Sequence, residues 1–217
     1  MSVHIDHTPS RLQEQLRIAL PEISEERESA LVRAYCEQWR TYHNFHHIWK
    51  MIHVAETVFR DQCTERQWRM LLVMILYHDV VYKVGVRAPE NEIASAQWAA
   101  HDMTTCNTNK DFKWCVHHGI KATKTHTLID IKPSHQRIVA MLLDLDLFGL
   151  GGATDAFAAD TELIWHEYQP VMHRGQYDTG RCEWAKTFLT RPVIFQTPQL
   201  GHLESSARAN LKRLAGI

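Results

Sequence analysis

The chain is poor in residues that break regular structure. Nine glycines and seven prolines in 217 positions are too few for a collagen-like, low-complexity or loop-dominated protein. It also lacks paired cysteines: Cys36, Cys63, Cys106, Cys115 and Cys182 are odd in number and scattered, and no Cys-x-x-Cys pair suggests a zinc ribbon or a redox dithiol. Reduced thiols in a cytoplasmic protein are the expectation. The opening residues have no apolar signal core, and no run approaches the roughly 18 apolar residues of a spanning helix. A soluble chain with no membrane partner is therefore expected. Charge of one sign is missing too: 24 Lys and Arg stand against 25 Asp and Glu, a net charge of −1, which argues against broad nucleic-acid binding. A local phosphate site stays open.

What the chain does have is apolar residues, at 45% enough for a sizeable core, in helical spacing. Leu12, Leu16 and Leu20 mark a first helix over 11–20, and Ser24 caps a second running to about Trp39. Ile48, Met51, Ile52, Ala55 and Phe59 predict a third, and Trp68, Leu71, Leu72, Ile75 and Leu76 a fourth. After a break over 83–89 with Gly85 and Pro89, helices are expected over 90–101, 112–121 and 134–147, then a glycine-rich turn at 147–152. A long helix follows from Asp155 to about His173, then irregular chain over 191–201 and a last helix from Ser205. The expectation is all-α, a single domain of about eight to ten helices over 1–217: helices in 11–39 pack on a metal-binding core, 40–175, with a C-terminal extension, 176–217.

Histidine is also over-represented, at 15 of 217 residues, and its distribution carries more than its number. His43, His46 and His47 cluster; His78 and Asp79 adjoin at the end of the apolar run Leu71–Tyr77; His117, His118 and His126 precede Asp144 and Asp146. Histidine with aspartate is the donor set for zinc, manganese, iron or nickel. His43 and His47 share a face if the helix already runs there, while His46 lies about 100° round from His47, so only one or two of the three can face one ion. Asp144 and Asp146 project about 200° apart, so one carboxylate looks inward. Asp146 is the better ligand and Asp144 a supporting or capping residue, because burying either without a cation is costly.

In order, these residues resemble the HD superfamily of metal-dependent phosphohydrolases, and in particular a group reading Arg-x-Tyr-His-Asn, Tyr-His-Asp, Asn-Glu-x-x-Ser-Ala, Thr-x-x-His and Leu-Asp-x-Asp-Leu. Here these stand as Arg40 to Asn44, Tyr77-His78-Asp79, Asn91-Glu92 with Ser95-Ala96, Thr123 to His126, and Leu143 to Leu147. The likeness continues through Glu167-Tyr168, Gly180-Arg181, Arg191-Pro192 and Ala207-Arg208, covering most of the chain from about Tyr35.

The resemblance implies that His47, His78, Asp79 and Asp146 hold one divalent metal ion, Mn, Ni, Zn, Fe or Co, with Mg allowed, and that His126, then His118, are candidates for a second. Asp79 and Glu92 are the expected catalytic carboxylates. Arg40 leads the candidates for holding phosphate, ahead of Lys121, Lys124 and Arg181; Lys83 also ranks low. His43 supports the site, and Glu167 and Tyr168 are expected to reach the pocket. The substrate implied is a small phosphate ester, a nucleotide among the candidates, and a homo-oligomer is allowed. The alternatives are an HD-fold di-iron oxygenase, or a binding or regulatory module stabilised by its metal.

Overall fold

The computed structural model describes residues 9–85 and 90–217. Of the expected 83–89 loop, residues 86–89 lie outside that range. The described residues form ten α-helices and no strand: α1 Pro9–Ala19, α2 Glu25–Tyr35, α3 Phe45–Val58, α4 Glu65–Tyr77, α5 Asn91–Thr105, α6 Lys110–Ala122, α7 Pro133–Leu147, α8 Thr154–Tyr168, α9 Arg174–Leu189 and α10 Glu204–Ala215. None is long and apolar enough to cross a membrane.

Helix α4 is the axis. A capping box starts it: the Thr64 hydroxyl accepts from the Gln67 amide at 3.3 Å, and Gln67 Oε1 accepts from the Thr64 amide at 3.0 Å. Every residue from Met70 to Tyr77 is then buried, because α1, α3, α5, α6 and α7 all pack against it. A helix apolar on every side belongs in such a place. Each large aliphatic side chain it buries contributes about 1.5–3 kcal/mol. Helices α9 and α10 pair, and α10 packs against the 3-10 turn Phe148–Gly151.

Most expected elements appear, with three differences. Helix α2 is capped by Ser24 as expected, its side chain accepting from the Arg27 amide, but it ends at Tyr35 rather than Trp39. Helix α3 starts at Phe45 behind the N-cap Asn44, whose side chain accepts from the His46 amide. His43 therefore lies before the helix, and the shared-face relation between His43 and His47 does not arise. The helix expected from 155 to 173 stops at Tyr168, before a turn containing Pro170, whose ring cannot continue a helix, and α9, from Arg174, stands where no helix was expected. Helix α9 has the weaker stripe, burying only Tyr177, Ala185 and Phe188.

Helices α2, α4 and α5 meet at Asp102, which is fully buried. Its carboxylate accepts from Arg27 Nε at 2.6 Å and from the Tyr77 hydroxyl at 2.8 Å. Asp102→Ala strands both donors and is expected to cost about 2–3 kcal/mol, read as a lower urea midpoint at constant m. A loss under about 0.5 kcal/mol, the size of an ordinary surface change, means the cluster does not tie the three helices.

Candidate metal centre

Where α4 ends, His78 Nδ1 bonds the carbonyl of Ile75 at 2.9 Å. With that nitrogen as donor, the lone pair is left on Nε2, the arrangement that orients a metal-binding imidazole. Asp79 follows in the same turn, and His47 comes from the first turn of α3. Asp146 comes from the last turn of α7. Each of the four residues offers one ligand atom, and these atoms lie within 4.8 Å of one another. His78 Nε2 is 3.1 Å from Asp79 Oδ2 and 3.5 Å from Asp146 Oδ1, while His47 Nε2 is 3.3 Å from Asp146 Oδ1.

Neither Nε2 atom makes a hydrogen bond, although both are buried. Leaving a buried polar atom without a partner costs about 1–3 kcal/mol, and here two of them face two carboxylates. Burial is the largest effect on both carboxyls and pushes them up, but the surrounding histidines together, His78 with His43 at Asp79 and His78 with His126 and His47 at Asp146, hold both below the usual carboxylate range. Two imidazole nitrogens with two ionised carboxylates fit a divalent ion of the zinc, manganese, iron, nickel or cobalt class.

Around this group a second set of contacts fixes the ligands. The Glu167 carboxylate, buried in α8, accepts from the amides of Tyr42 and His43 at 2.7 and 2.8 Å and bonds His43 Nδ1 at 2.6 Å. It holds the turn that leads into α3 and His47. The His43 ring stacks on Tyr82 with centroids 4.1 Å apart. His126 Nε2 lies 2.9 Å from Asp146 Oδ2, the oxygen opposite the one facing the two histidines. His126 has φ +50°, which is uncommon for a residue with a side chain. Arg191 spans the turn, donating to the carbonyls of Thr125 at 2.8 Å and His126 at 3.1 Å.

Several expected placements change. Arg40 does not reach toward a phosphate: it is buried, and its guanidinium donates to the Glu37 carboxylate and to the carbonyls of His43, Asp79 and Val80. His118 stays on its own helix, its ring stacked on Trp114 at 3.9 Å and its Nδ1 bonded to the Trp114 carbonyl. It is not among the residues brought together. Asp144 turns away from Asp146 and is fully buried, accepting from the amides of Gln196 and Thr197 and the Thr197 hydroxyl at 2.6–2.8 Å. Lys83 and Lys121 are exposed, outside the cavity lining.

Above the four donors opens a cavity of about 480 Å³ lined by His43, Asp79, Glu92, Lys124, His126, Asp146, Tyr168 and Arg181 among others. Lys124 pairs with Glu90 at 2.7 Å. Asp160 and Tyr42 also line it; Tyr42 stands in the Arg40 to Asn44 motif with no role assigned to it, and Asp160 was not singled out by sequence. The signal for Asp160 was its spacing: it lies seven residues before Glu167, on the same stripe of α8. Searched against protein-family models and against curated proteins, the chain matches none.

His78→Ala and Asp79→Ala should each lower divalent-metal affinity by about 100-fold or more, above the 10–100-fold typical of outer contacts, with helical circular dichroism retained. Equilibrium dialysis against zinc and manganese reads it, and unchanged binding in both variants would remove the centre.

Proposed function

We propose that the chain is a metal-dependent phosphohydrolase that cleaves a small phosphate ester, with nucleotides among its candidate substrates. The observation that carries the reading is the convergence of two bare buried imidazole nitrogens and two carboxylates beside a cavity whose lining includes an unpaired cation. That cation is Arg181. Among the described residues its guanidinium makes no hydrogen bond or ion pair, its Nε is buried without a partner, and it lies 4.2 Å from the Trp184 ring centroid. An arginine in that state fits an anion with several acceptor oxygens, such as phosphate.

A divalent ion in the centre supplies an acidified water and offsets charge developing on the phosphoryl group. His47, His78, Asp79 and Asp146 are the residues to hold it. Glu92 lines the cavity from the first turn of α5 and makes no ion pair among the described residues, so its carboxylate is free to orient a water and accept its proton. Arg181, with Lys124 beside Glu90, orients the phosphate oxygens across the cavity. Tyr168 and Tyr82 close its side, and burial is the largest of the effects that raise the Tyr82 hydroxyl, keeping it neutral. A di-iron oxygenase calls for more protein ligands than the four that converge among the described residues, which favours hydrolysis.

The test is phosphate release from phosphomonoesters and nucleotides by protein loaded in turn with manganese, nickel, zinc, cobalt and iron, with and without chelator. Hydrolysis abolished by chelator is expected, and Arg181→Gln should raise KM about tenfold or more with a smaller effect on kcat, since a hydrogen bond to a charged group is worth about 1.5–3 kcal/mol. Two bound irons with oxygen uptake, or no phosphate release with any metal, would overturn the reading.

A further inference from the structure

A second cavity, of about 460 Å³, lies against the other side of the metal centre. Asp79 and Asp146 line the first cavity, whereas His47 lines the second. The centre therefore sits in a wall between two spaces. Tyr42, Gly149 and Asp160 line both, and they form the partition.

The two spaces differ chemically. The first carries Arg181, Lys124 and Glu92. The second has Phe148, Ala156, Leu163 and Leu203 on its wall beside the polar Thr41, Asn44 and His46, and its lysine, Lys50, is 3.9 Å from Asp160. Leu163, which lines this cavity, is 37% exposed, so an apolar group entering beside it would take apolar surface out of water. The partition is thin at residue 149: a Cβ there would lie 3.4 Å from Asp160 Oδ2 and 3.7 Å from the Tyr42 hydroxyl, with no third atom within 4 Å. The φ of Gly149 is not in the left-handed region, so the backbone does not require glycine. What the missing side chain provides is space between the two cavities.

We propose that the second cavity is a substrate subsite for an apolar alkyl or aryl group carried by the phosphate ester, reached from the metal centre through the notch at Tyr42, Gly149 and Asp160. This rests on the phosphohydrolase reading, in that the phosphate lies on the Arg181 side and the apolar group on the His47 side. Gly149 is then the specificity-determining position, because its size sets whether the two spaces communicate.

The probes are methylphosphonate and octylphosphonate, titrated calorimetrically into the manganese-loaded protein and into Gly149→Val and Ala156→Phe. Gly149→Val fills the notch, and Ala156→Phe fills the second cavity away from it. Octylphosphonate should bind the parent at least about tenfold more tightly than methylphosphonate, given the gain from each buried methylene. Both variants should bring that ratio near one, with thermal unfolding showing that they fold. Equal binding of the two probes by the parent, a ratio that survives in both folded variants, or failure of both probes to bind would overturn the proposal. Phosphate release from methyl and octyl phosphate is measured in parallel. A ratio that collapses in the variants without any phosphate release supports the subsite and counts against the phosphohydrolase reading alone.

Discussion

The site depends on the termination of a helix deep inside the protein. Helix α4 is surrounded on every side, so its last carbonyls cannot turn to water and must find partners within the protein. Each partner has a name. The Met74 carbonyl takes the His78 amide, Ile75 takes His78 Nδ1, Leu76 takes the Tyr35 hydroxyl and Tyr77 takes the Val80 amide. Arg40 closes the carbonyls of Asp79 and Val80 and brings positive charge to the negative end of the helix. One of these bonds also selects the His78 tautomer, so the lone pair that faces Asp79 and Asp146 follows from the way the helix is finished.

Two carboxylates two residues apart on α7 do opposite work. Asp146 faces the imidazoles, while Asp144 holds residues 196 and 197 of the segment leading to α10. The chain between Arg191 and that anchor is short, and Arg191 in turn fixes the turn at His126, whose ring bonds Asp146. The result is a closed loop of contacts, from Asp144 through Thr197, Arg191 and His126 to Asp146. The C-terminal segment is thus part of what orients a ligand, although it supplies none itself.

Periodicity was enough for α4 and α7 because both are long and dominated by burial, and residue order was enough to gather His47, His78, Asp79 and Asp146 as one candidate set. The sequence did not show what faces each polar side chain. Arg40 looked available because no neighbour in the sequence reveals that its acceptors are carbonyls at 79 and 80. His118 looked available because its Trp114 partner, one turn earlier on α6, reads equally well as core. Helix α9 was hidden by a short apolar stripe and by the apparent continuity of α8 across Pro170. Asp160 was missed because one of four carboxylates on α8 resembles an ordinary solvated residue, and only its register with Glu167 puts it on the inward stripe of that helix.

Placing two of the four candidate ligands, His78 and Asp79, at the end of the innermost helix has a kinetic side. Helix ends on a protein surface fray easily, and a site built on one can open without disturbing the rest. The end of α4 has no such freedom, since loosening His78 means separating Tyr35, Arg40 and Asp79 from the core they complete. A divalent ion held by these four residues would therefore exchange through the cavities that Asp79, Asp146 and His47 line rather than by local opening of the backbone.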